Sequence, residues 1–320
     1  MAVLFNTFIQ NTKHMKFLIL ITAFIAGLGY NARACELCGC SASSQYLGIL
    51  PEFYKQFIGV QYQYTSFTAK QPSLMDPSDN ESAYEFNSTY QVWGRYYIGN
   101  KVQLFGFLPY HMNTGADGGT AIKTNGIGDA SVLGNIVVFR RDADTAVWKQ
   151  TLLAGGGVKL PTGKYTGVTT LDEQGLPNVQ AGTGSWDFIV NANYTIRYQK
   201  VGLNADASYT MTTANKVDYK YGNRLNTGLL AFYWWQKNNV SLLPQAGVRY
   251  EYTLHDYDNY EHKWLNESSG GNIVFATAGV QAYIKRYGAK VMYSIPVSQH
   301  YANGDVTVQP RLETSLFFLF

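Results

Sequence analysis

The feature that most limits how this chain can fold is an alternation of apolar and polar residues with a period of two. It recurs along most of the sequence and predicts twelve β-strands of about 11 to 18 residues, long enough to cross a membrane at a tilt. The predicted strands are 56–67, 83–98, 101–113, 126–140, 147–162, 183–198, 200–213, 220–235, 239–254, 271–285, 287–299 and 308–320.

One predicted strand, 83–98, shows the alternation clearly. Its apolar face carries Tyr84, Phe86, Tyr90, Val92, Tyr96 and Ile98, and its polar face carries Glu85, Asn87, Thr89, Gln91 and Arg95. A strand with one apolar and one polar face belongs either in a soluble sandwich, with the apolar face inside, or in a membrane barrel, with that face in lipid.

The lengths of the connections favour the barrel. Short turns such as 99–100 alternate with long connections such as 114–125, 163–182 and 255–270. Short turns on one side and long loops on the other are typical of outer-membrane barrels. We therefore predict an all-β fold, a closed antiparallel transmembrane β-barrel of about twelve strands, with both termini in the periplasm.

Composition excludes other classes of protein. Charged residues make up 15% of the chain, against roughly 25% in average globular domains. Beyond the N-terminal leader no apolar run approaches the roughly 20 residues of a membrane-spanning helix. The net charge is +3 and no basic cluster is present, so we expect no binding to nucleic acid.

The N-terminal region resembles a secretory leader. An apolar run at 17–29 is followed by Ala32 and Ala34 in an A-x-A arrangement, which predicts cleavage after Ala34. We therefore divide the chain into a signal peptide (1–34, with Met1 or Met15 as its start), a periplasmic cysteine-containing segment (35–55) and a transmembrane barrel (56–320). The predicted location is the outer membrane of a Gram-negative bacterium.

The last strand carries a second signal. Leu312, Thr314, Leu316, Phe318 and Phe320 share one face, and the chain ends at Phe320. Such a strand resembles the signal that the outer-membrane assembly machinery reads. We therefore expect two partners for the chain, the outer-membrane lipid and that machinery; its oligomeric state stays open.

The alternation also predicts which charged side chains face the lumen. In the registers above they all fall on the polar face, away from lipid. The predicted lumen-lining residues are Glu85, Arg95, Asp187, Arg197, Asp206, Arg249, Glu251, Lys290, Arg311 and Glu313. This set predicts either an interior plugged by ion pairs or a narrow path for a small solute.

Two stretches carry a resemblance to a known family. They are "NGIGDASVLGNIVVF" (125–139) and "LLAGGGVKLPTGKY" (152–165), with a G-[LIV]-G-D motif at 126–129 and L-P-T-G at 160–163. They resemble a consecutive strand pair of the outer-membrane family linked to the meta-pathway of phenol degradation, which is distantly similar to fatty-acid channels. The resemblance implies a channel for small solutes, among them hydrophobic or aromatic compounds.

Two other functions stay open at this point. One is a structural or metal-associated barrel that transports nothing. The other is an outer-membrane enzyme, which we do not expect, because no histidine begins the His-x-Ser pair of the outer-membrane phospholipases. The sequence "HDYDNYEH" offers His255, Asp256, Asp258, Glu261 and His262, either as ligands of a divalent cation or as a solvated loop.

All three cysteines of the chain lie in "CELCGC", at Cys35, Cys38 and Cys40. Three fates are open: a disulfide with one cysteine left over, favoured by an oxidising periplasm; capture of a soft metal; or lipidation of Cys35. As the metal, Cu(I) suits two or three thiolates, whereas Zn needs a fourth ligand from Glu36 or a partner. No other cofactor is expected.

Overall fold

Twelve antiparallel strands build the barrel wall in the computed structural model, which describes residues 56–72, 80–117, 120–143, 146–165, 180–258, 262–266 and 269–320. The strands are β1 (Phe57–Pro72), β2 (Asn80–Ile98), β3 (Val102–Asp117), β4 (Thr120–Ile127 and Ser131–Arg141), β5 (Trp148–Lys159), β6 (Asp187–Tyr198), β7 (Val201–Thr212), β8 (Arg224–Tyr233, continued by Trp235–Lys237), β9 (Val240–Thr253), β10 (Gly271–Ile284), β11 (Tyr287–Tyr301) and β12 (Val306–Val308 and Arg311–Leu319). No helix in these ranges is long and apolar enough to cross a membrane.

The barrel closes where β12 pairs with β1. Eight register pairs run from Phe57 opposite Leu319 to Tyr64 opposite Leu312. Each remaining strand pairs with its neighbours in sequence. Closure leaves no unpaired edge, which a sheet in hydrocarbon requires because lipid offers no hydrogen-bonding partner. The prediction of a closed twelve-stranded antiparallel barrel is confirmed.

One predicted loop is wrong. Residues 114–125 were expected to form a long connection, but β3 and the first part of β4 continue pairing as far as Asp117 opposite Thr120. The two strands therefore continue as a paired hairpin over these residues. A second long connection, 255–270, contains two short strands, Tyr257–Asp258 and Lys263–Trp264, the first of which pairs with Tyr219–Lys220.

The outer wall is apolar. Large hydrophobic side chains that point away from the lumen are between 37% and 68% exposed. They include Ile58, Val60, Val92, Leu104, Leu108, Val132, Ile136, Phe188, Val190, Leu203, Leu229, Val248, Val280, Val291, Ile295 and Leu316. A contiguous apolar surface of this extent fits the hydrocarbon of a bilayer and not water.

The two ends of the barrel differ. At the turn end, short connections such as Gln199–Lys200 and Lys285–Arg286 join the strands, and the barrel begins and finishes there with β1 and β12. Both two-residue turns start with a residue in the left-handed region (φ 50° and 57°), as tight hairpins require. The loop end carries the long connections.

Aromatic side chains surround the turn end on its outer face. The exposed ones are Tyr96, Trp148, Tyr198, Tyr233, Trp235, Tyr287 and Phe320. Tyrosine and tryptophan favour the membrane–water interface, since each has an apolar ring and a polar group. Two other aromatic residues at this end point inward: Tyr97 accepts a hydrogen bond from Gln103, and Trp234 packs against the barrel interior. Successive residues of a strand face opposite sides, so Tyr96 and Tyr97 cannot both face lipid.

Candidate functional site

An apolar cluster occupies the barrel interior. Its members, called the lumenal cluster below, come from ten of the twelve strands. They are Phe57, Trp93, Phe105, Phe107, Leu133, Ile189, Leu230, Phe232, Leu243, Tyr283, Met292, Phe317 and Leu319. Because strands on all sides contribute, the cluster spans the cross-section of the lumen.

Aromatic rings hold the lumenal cluster together. The Phe57 ring meets the Trp93 ring edge-on, with centroids 4.6 Å apart, and Trp93 stacks on Phe107 at 6.0 Å. On the other side, Phe317 lies 6.0 Å from Phe57 and 5.4 Å from Tyr283. Such ring pairs add about 0.5–1.5 kcal/mol each to the burial of their area. The cluster is therefore a packed constriction and not a loose lining.

Arg95 places a positive charge against this constriction. Its guanidinium carbon lies 5.3 Å from the centroid of the Phe57 ring and 5.1 Å from that of Tyr97. A guanidinium over aromatic faces is stabilised by their negative π-electron density. Arg95 is thus buried on β2 and borders an aromatic environment.

Four predicted lumen-lining residues form two ion pairs. Arg311 donates to both carboxylate oxygens of Glu251, at 2.7 and 3.1 Å, and Lys290 pairs with Glu313. β9 and β12 are not neighbours in the wall, so the Arg311–Glu251 contact crosses the interior. Buried pairs of this kind need good geometry to offset the loss of hydration, which a bidentate arginine supplies.

A second charged group lies near the loop end. Lys159 pairs with Asp129 at 3.0 Å and with Asp187 at 2.9 Å, and Arg224 lies 3.6 Å from Asp187. The lumen beside it contains a cavity of about 30 Å³, which Asp206 also lines. This is room for about one or two water molecules.

The other three predicted lumen-lining residues lie in three different surroundings. Glu85 is 3% exposed, and neither of its carboxylate oxygens has a hydrogen-bond partner among the described residues. Arg249 is buried in the interior. Arg197 lies at the turn end, where it donates to the Gln199 carbonyl and covers the Trp234 ring at 5.0 Å.

The two motifs of the sequence resemblance meet at the loop end, in a group of contacts that we call the buckle. The Asp129 carboxylate accepts hydrogen bonds from the Gly163 amide (2.9 Å), the Thr183 amide (2.8 Å) and the Thr183 hydroxyl (2.8 Å). The Thr162 hydroxyl donates to the Gly128 carbonyl and accepts from the Ala130 amide. One carboxylate therefore joins both ends of the long connection between β5 and β6.

Two glycines let the buckle close. A side chain on Gly163 would place its Cβ 2.7 Å from the Cα of Gly182 and 2.9 Å from an Asp129 oxygen. A side chain on Gly182 would also meet that oxygen at 2.7 Å. Both distances are shorter than real Cβ contacts, so the glycines in L-P-T-G and at 182 are required by close approach of the backbones.

A half-buried tyrosine, Tyr219, contacts a buried aspartate at the loop end. The Tyr219 hydroxyl and the Gly222 amide both donate to Asp256, at 2.5 and 2.7 Å, and the Asp256 amide donates to Ser269. Burial raises the pKa of Asp256 above its ordinary value, although these hydrogen bonds oppose the shift. Burial and the neighbouring carboxylate raise the pKa of Tyr219 as well. The tyrosine hydroxyl is thus kept as a donor to the carboxylate.

These contacts already engage two of the residues predicted as ligands of a divalent cation. Asp256 serves the tyrosine contacts, and the His255 ring bonds to the Ser269 carbonyl at 2.5 Å. Within the described ranges, no three histidine, cysteine, aspartate or glutamate side chains gather as metal ligands do. Glu261, Cys35, Cys38 and Cys40 lie outside the described residues, as do the predicted signal peptide (1–34) and the predicted segment 35–55.

The sequence interpretation missed the lumenal cluster. It assigned the inward face by polarity and named only charged side chains as lumen-lining. The missing signal lies in the rule that residues two apart on a strand share a face. Trp93 lies two residues from Arg95, and Phe105 lies two residues from Gln103. Each aromatic residue therefore shares the face of a buried polar neighbour.

No protein-family model matches the sequence, and a search of curated proteins finds no match. Among solved structures, an outer membrane channel from Pseudomonas putida F1 is similar with a TM-score of 0.60 and 14% identity, over 83% of this chain and 96% of that chain. The β-domain of the Bordetella autotransporter BrkA has a TM-score of 0.44 and 9% identity, over 82% and 99%. A FadL homologue from Pseudomonas aeruginosa has a TM-score of 0.38 and 11% identity, over 83% and 90%.

The first of these similarities shows the fold. The chain has the fold of an outer-membrane β-barrel, which confirms the resemblance to such proteins at the level of architecture. Its apolar outer wall and closed sheet bear out the predicted location in the outer membrane.

Proposed function

We propose that the protein is an outer-membrane channel for small apolar or aromatic solutes, and that the lumenal cluster is its selective constriction. The observation that carries this proposal is the position of the cluster: aromatic and aliphatic side chains from ten strands meet inside a closed barrel. A path for sugars or ions has no need of such a lining, since hydrophobic constrictions exclude water and ions.

The physical basis of selectivity is desolvation. A charged or strongly hydrated solute loses hydrogen bonds to water when it enters an apolar constriction, at a cost of several kcal/mol for each unpaired polar group (about 2–7 kcal/mol). An apolar solute instead gains roughly 25 cal/mol for each Å² removed from water. The lumenal cluster would therefore favour the second class over the first.

Uptake into vesicles tests the channel. The vesicles have lipopolysaccharide in their outer leaflet, which slows direct passage of apolar solutes, and contain either the purified protein or none. We expect the protein to accelerate entry of radiolabelled benzyl alcohol more than that of glucose. Replacing Phe107 by serine, which makes the constriction polar, should shift the preference toward glucose.

The same assay separates the competing functions. Faster entry of glucose than of benzyl alcohol would contradict an apolar channel. Correctly folded protein that accelerates neither solute would favour a structural barrel, for which the buried ion pairs Arg311–Glu251 and Lys290–Glu313 are a sufficient interior. Ester hydrolysis by the same vesicles would favour an enzyme; that the chain is not an enzyme stays a prediction.

We further propose that the turn end faces the periplasm and that the strand ending at Phe320 is read by the assembly machinery. Phe320 is exposed on the outer face, and its amide donates to the Gln56 carbonyl at 2.9 Å. Short turns of outer-membrane barrels lie on the periplasmic side. The lumen-lining role of the ten charged residues is part of the same proposal.

A metal-associated role at the three cysteines is also proposed. Thiolates at Cys35, Cys38 and Cys40 suit Cu(I), a soft ion. We expect the reduced mature protein to bind about one Cu(I) and the triple Cys→Ser variant to bind none, as measured by competition with a chromogenic chelator. Equal binding by both proteins would contradict the metal site and leave a disulfide or lipidation.

A further inference from the structure

Two small residues interrupt the apolar outer wall beside the seam where the barrel closes. Ala289 on β11 and Thr314 on β12 occupy outward positions, since the residues next to them, Lys290 and Glu313, are buried on the inner side. Successive residues of a strand face opposite sides of the sheet. The outer wall is therefore recessed at these two positions, where neither side chain reaches far into the membrane.

Larger outward side chains surround the two small ones. Thr314 lies opposite Val291 of β11 on one side and opposite Tyr62 of β1 on the other. The flanking outward residues are Val60, Tyr62, Tyr90, Val291 and Leu316. Four of these five are 45% to 65% exposed, which places them on the face that meets lipid.

Together these residues form a groove of about 350 Å³, called the seam groove below. At about 30 Å³ each, roughly ten water-sized groups fill this volume. A methylene group is of similar size. Among the described residues that line the groove, Lys290 is the one charged side chain, and it pairs with Glu313 on the inner side. The space offered to a ligand is therefore apolar.

The seam groove crosses the closure of the barrel. Its lining comes from β11 and β12 on one side and from β1 and β2 on the other. Between them runs the seam that joins the first strand to the last, with Phe57 opposite Leu319 at its turn end. A molecule that lies in the groove therefore contacts both sides of the closure at once.

The groove lies in the half of the wall nearest the turn end. Val60 follows Phe57, the first residue of β1, by three positions, or about 10 Å along the strand. On the turn side of the groove, the Tyr287 ring packs against the Phe318 ring with centroids 5.5 Å apart. Tyr287 belongs to the aromatic belt, where headgroups meet hydrocarbon. An acyl chain that enters the groove from this side thus begins at headgroup level.

The surroundings of the groove determine what covers it. The groove is continuous with the apolar outer wall, which faces the hydrocarbon of the membrane. Atoms that fill a recess gain dispersion contacts on several sides, whereas a flat wall offers contacts on one side. A flexible chain one methylene wide can follow such a recess, while the convex wall of a second barrel is wider than it.

We infer that the seam groove is a binding site for one acyl chain of a membrane phospholipid, which bridges β12 and β1 with its headgroup at the turn end. The bound chain adds contacts across the closure of the barrel. The inference goes beyond the proposed channel function and does not depend on it, because the groove and the lumenal cluster lie on opposite sides of the wall.

Native mass spectrometry of the protein, purified from outer membranes in a mild detergent, tests the site. The unmodified protein should retain a phospholipid, which appears as an added mass. Replacing both small residues by leucine (A289L with T314L) fills the recess, so the fraction of protein that retains lipid should fall several-fold. Circular dichroism checks that the variant is folded. Equal retention by the folded variant and the unmodified protein would overturn the site.

Ala246→Leu with Ala278→Leu is the matched control. These alanines lie opposite each other on β9 and β10, exposed on the outer wall and away from the groove. The control should retain as much lipid as the unmodified protein. An equal loss in both double variants would mean that any added bulk on the wall releases lipid. A dimer of the unmodified protein that disappears in the A289L and T314L variant would assign the groove to a second copy. Either result overturns the inference.

A measurement without substitution covers the case in which the double variant does not fold. The unmodified protein is reconstituted with a phospholipid that carries a photoreactive diazirine in its acyl chain, and the labelled peptides are identified after irradiation. Residues 60–62 and 314–316 should be labelled several-fold more than residues 244–248 of β9, which also face lipid. Even labelling around the wall would show ordinary boundary lipid and contradict a binding site.

Discussion

Replacing Trp93 by alanine is expected to raise the ionic conductance of the reconstituted barrel several-fold. Trp93 contacts rings on both sides, Phe57 and Phe107, and is 3% exposed. Removing its indole opens a gap in the lumenal cluster, through which we expect water and ions to enter. Conductance in planar bilayers measures the effect directly.

The same substitution should also lower stability. Truncating a buried tryptophan costs about 3–5 kcal/mol, because packing is lost and a cavity remains. Trp148→Ala is the control: this indole is 48% exposed on the outer wall, where it packs against Tyr198 at 4.8 Å. It should leave conductance unchanged. Equal conductance in the wild-type protein and in Trp93→Ala would mean that the cluster does not close the path.

The barrel was predictable because lipid and lumen impose opposite chemistry on successive residues. Where β3 and β4 continue past Tyr110 and Ile127, the alternation of apolar and polar residues in the sequence disappears. That is why 114–125 was taken for a loop although it continues the strand pairing. Sequence periodicity therefore predicts the membrane-spanning part of a strand better than its extension.

The interior was less predictable, because aromatic residues serve two environments. Phe188 faces lipid and Phe107 faces the lumen, yet nothing in the residue type distinguishes them. A charged residue on a membrane strand indicates the inward face, since hydrocarbon excludes charge. The sequence therefore predicts inward charges on β2, β9, β11 and β12, while the apolar cluster beside them became visible only through the register.

The role of the two motifs also required the three-dimensional structure. Asp129 and Gly163 both stand in stretches that resemble a known strand pair, but their partner Thr183 lies 54 residues from Asp129 and in no motif. Nearly every residue type can donate a hydrogen bond from its backbone amide, so such a contact cannot be predicted from residue type. A sequence pattern can thus mark where a contact is made without indicating what it joins.

Asp129→Ala should destabilise the barrel by about 3–5 kcal/mol, the usual cost of removing one partner from a buried ion pair. The substitution leaves Lys159 with Asp187 alone and removes the acceptor of the Gly163 and Thr183 amides. Both ends of the connection between β5 and β6 then lose their contact with residue 129, while the Thr162 contacts with Gly128 and Ala130 remain. Unfolding in urea, followed by tryptophan fluorescence, measures the loss of free energy.

Two further variants decide whether the buckle is the cause. Asp305→Ala removes an exposed aspartate at the same end of the barrel and should change the free energy of unfolding by no more than about 0.5 kcal/mol. Asp129→Asn keeps an oxygen for the Gly163 amide but loses the charge that faces Lys159, so we expect a loss between those of wild type and Asp129→Ala. If Asp129→Asn lost as much free energy of unfolding as Asp129→Ala, the charge would account for the whole effect. If Asp305→Ala lost as much as Asp129→Ala, the buckle would contribute nothing specific to stability.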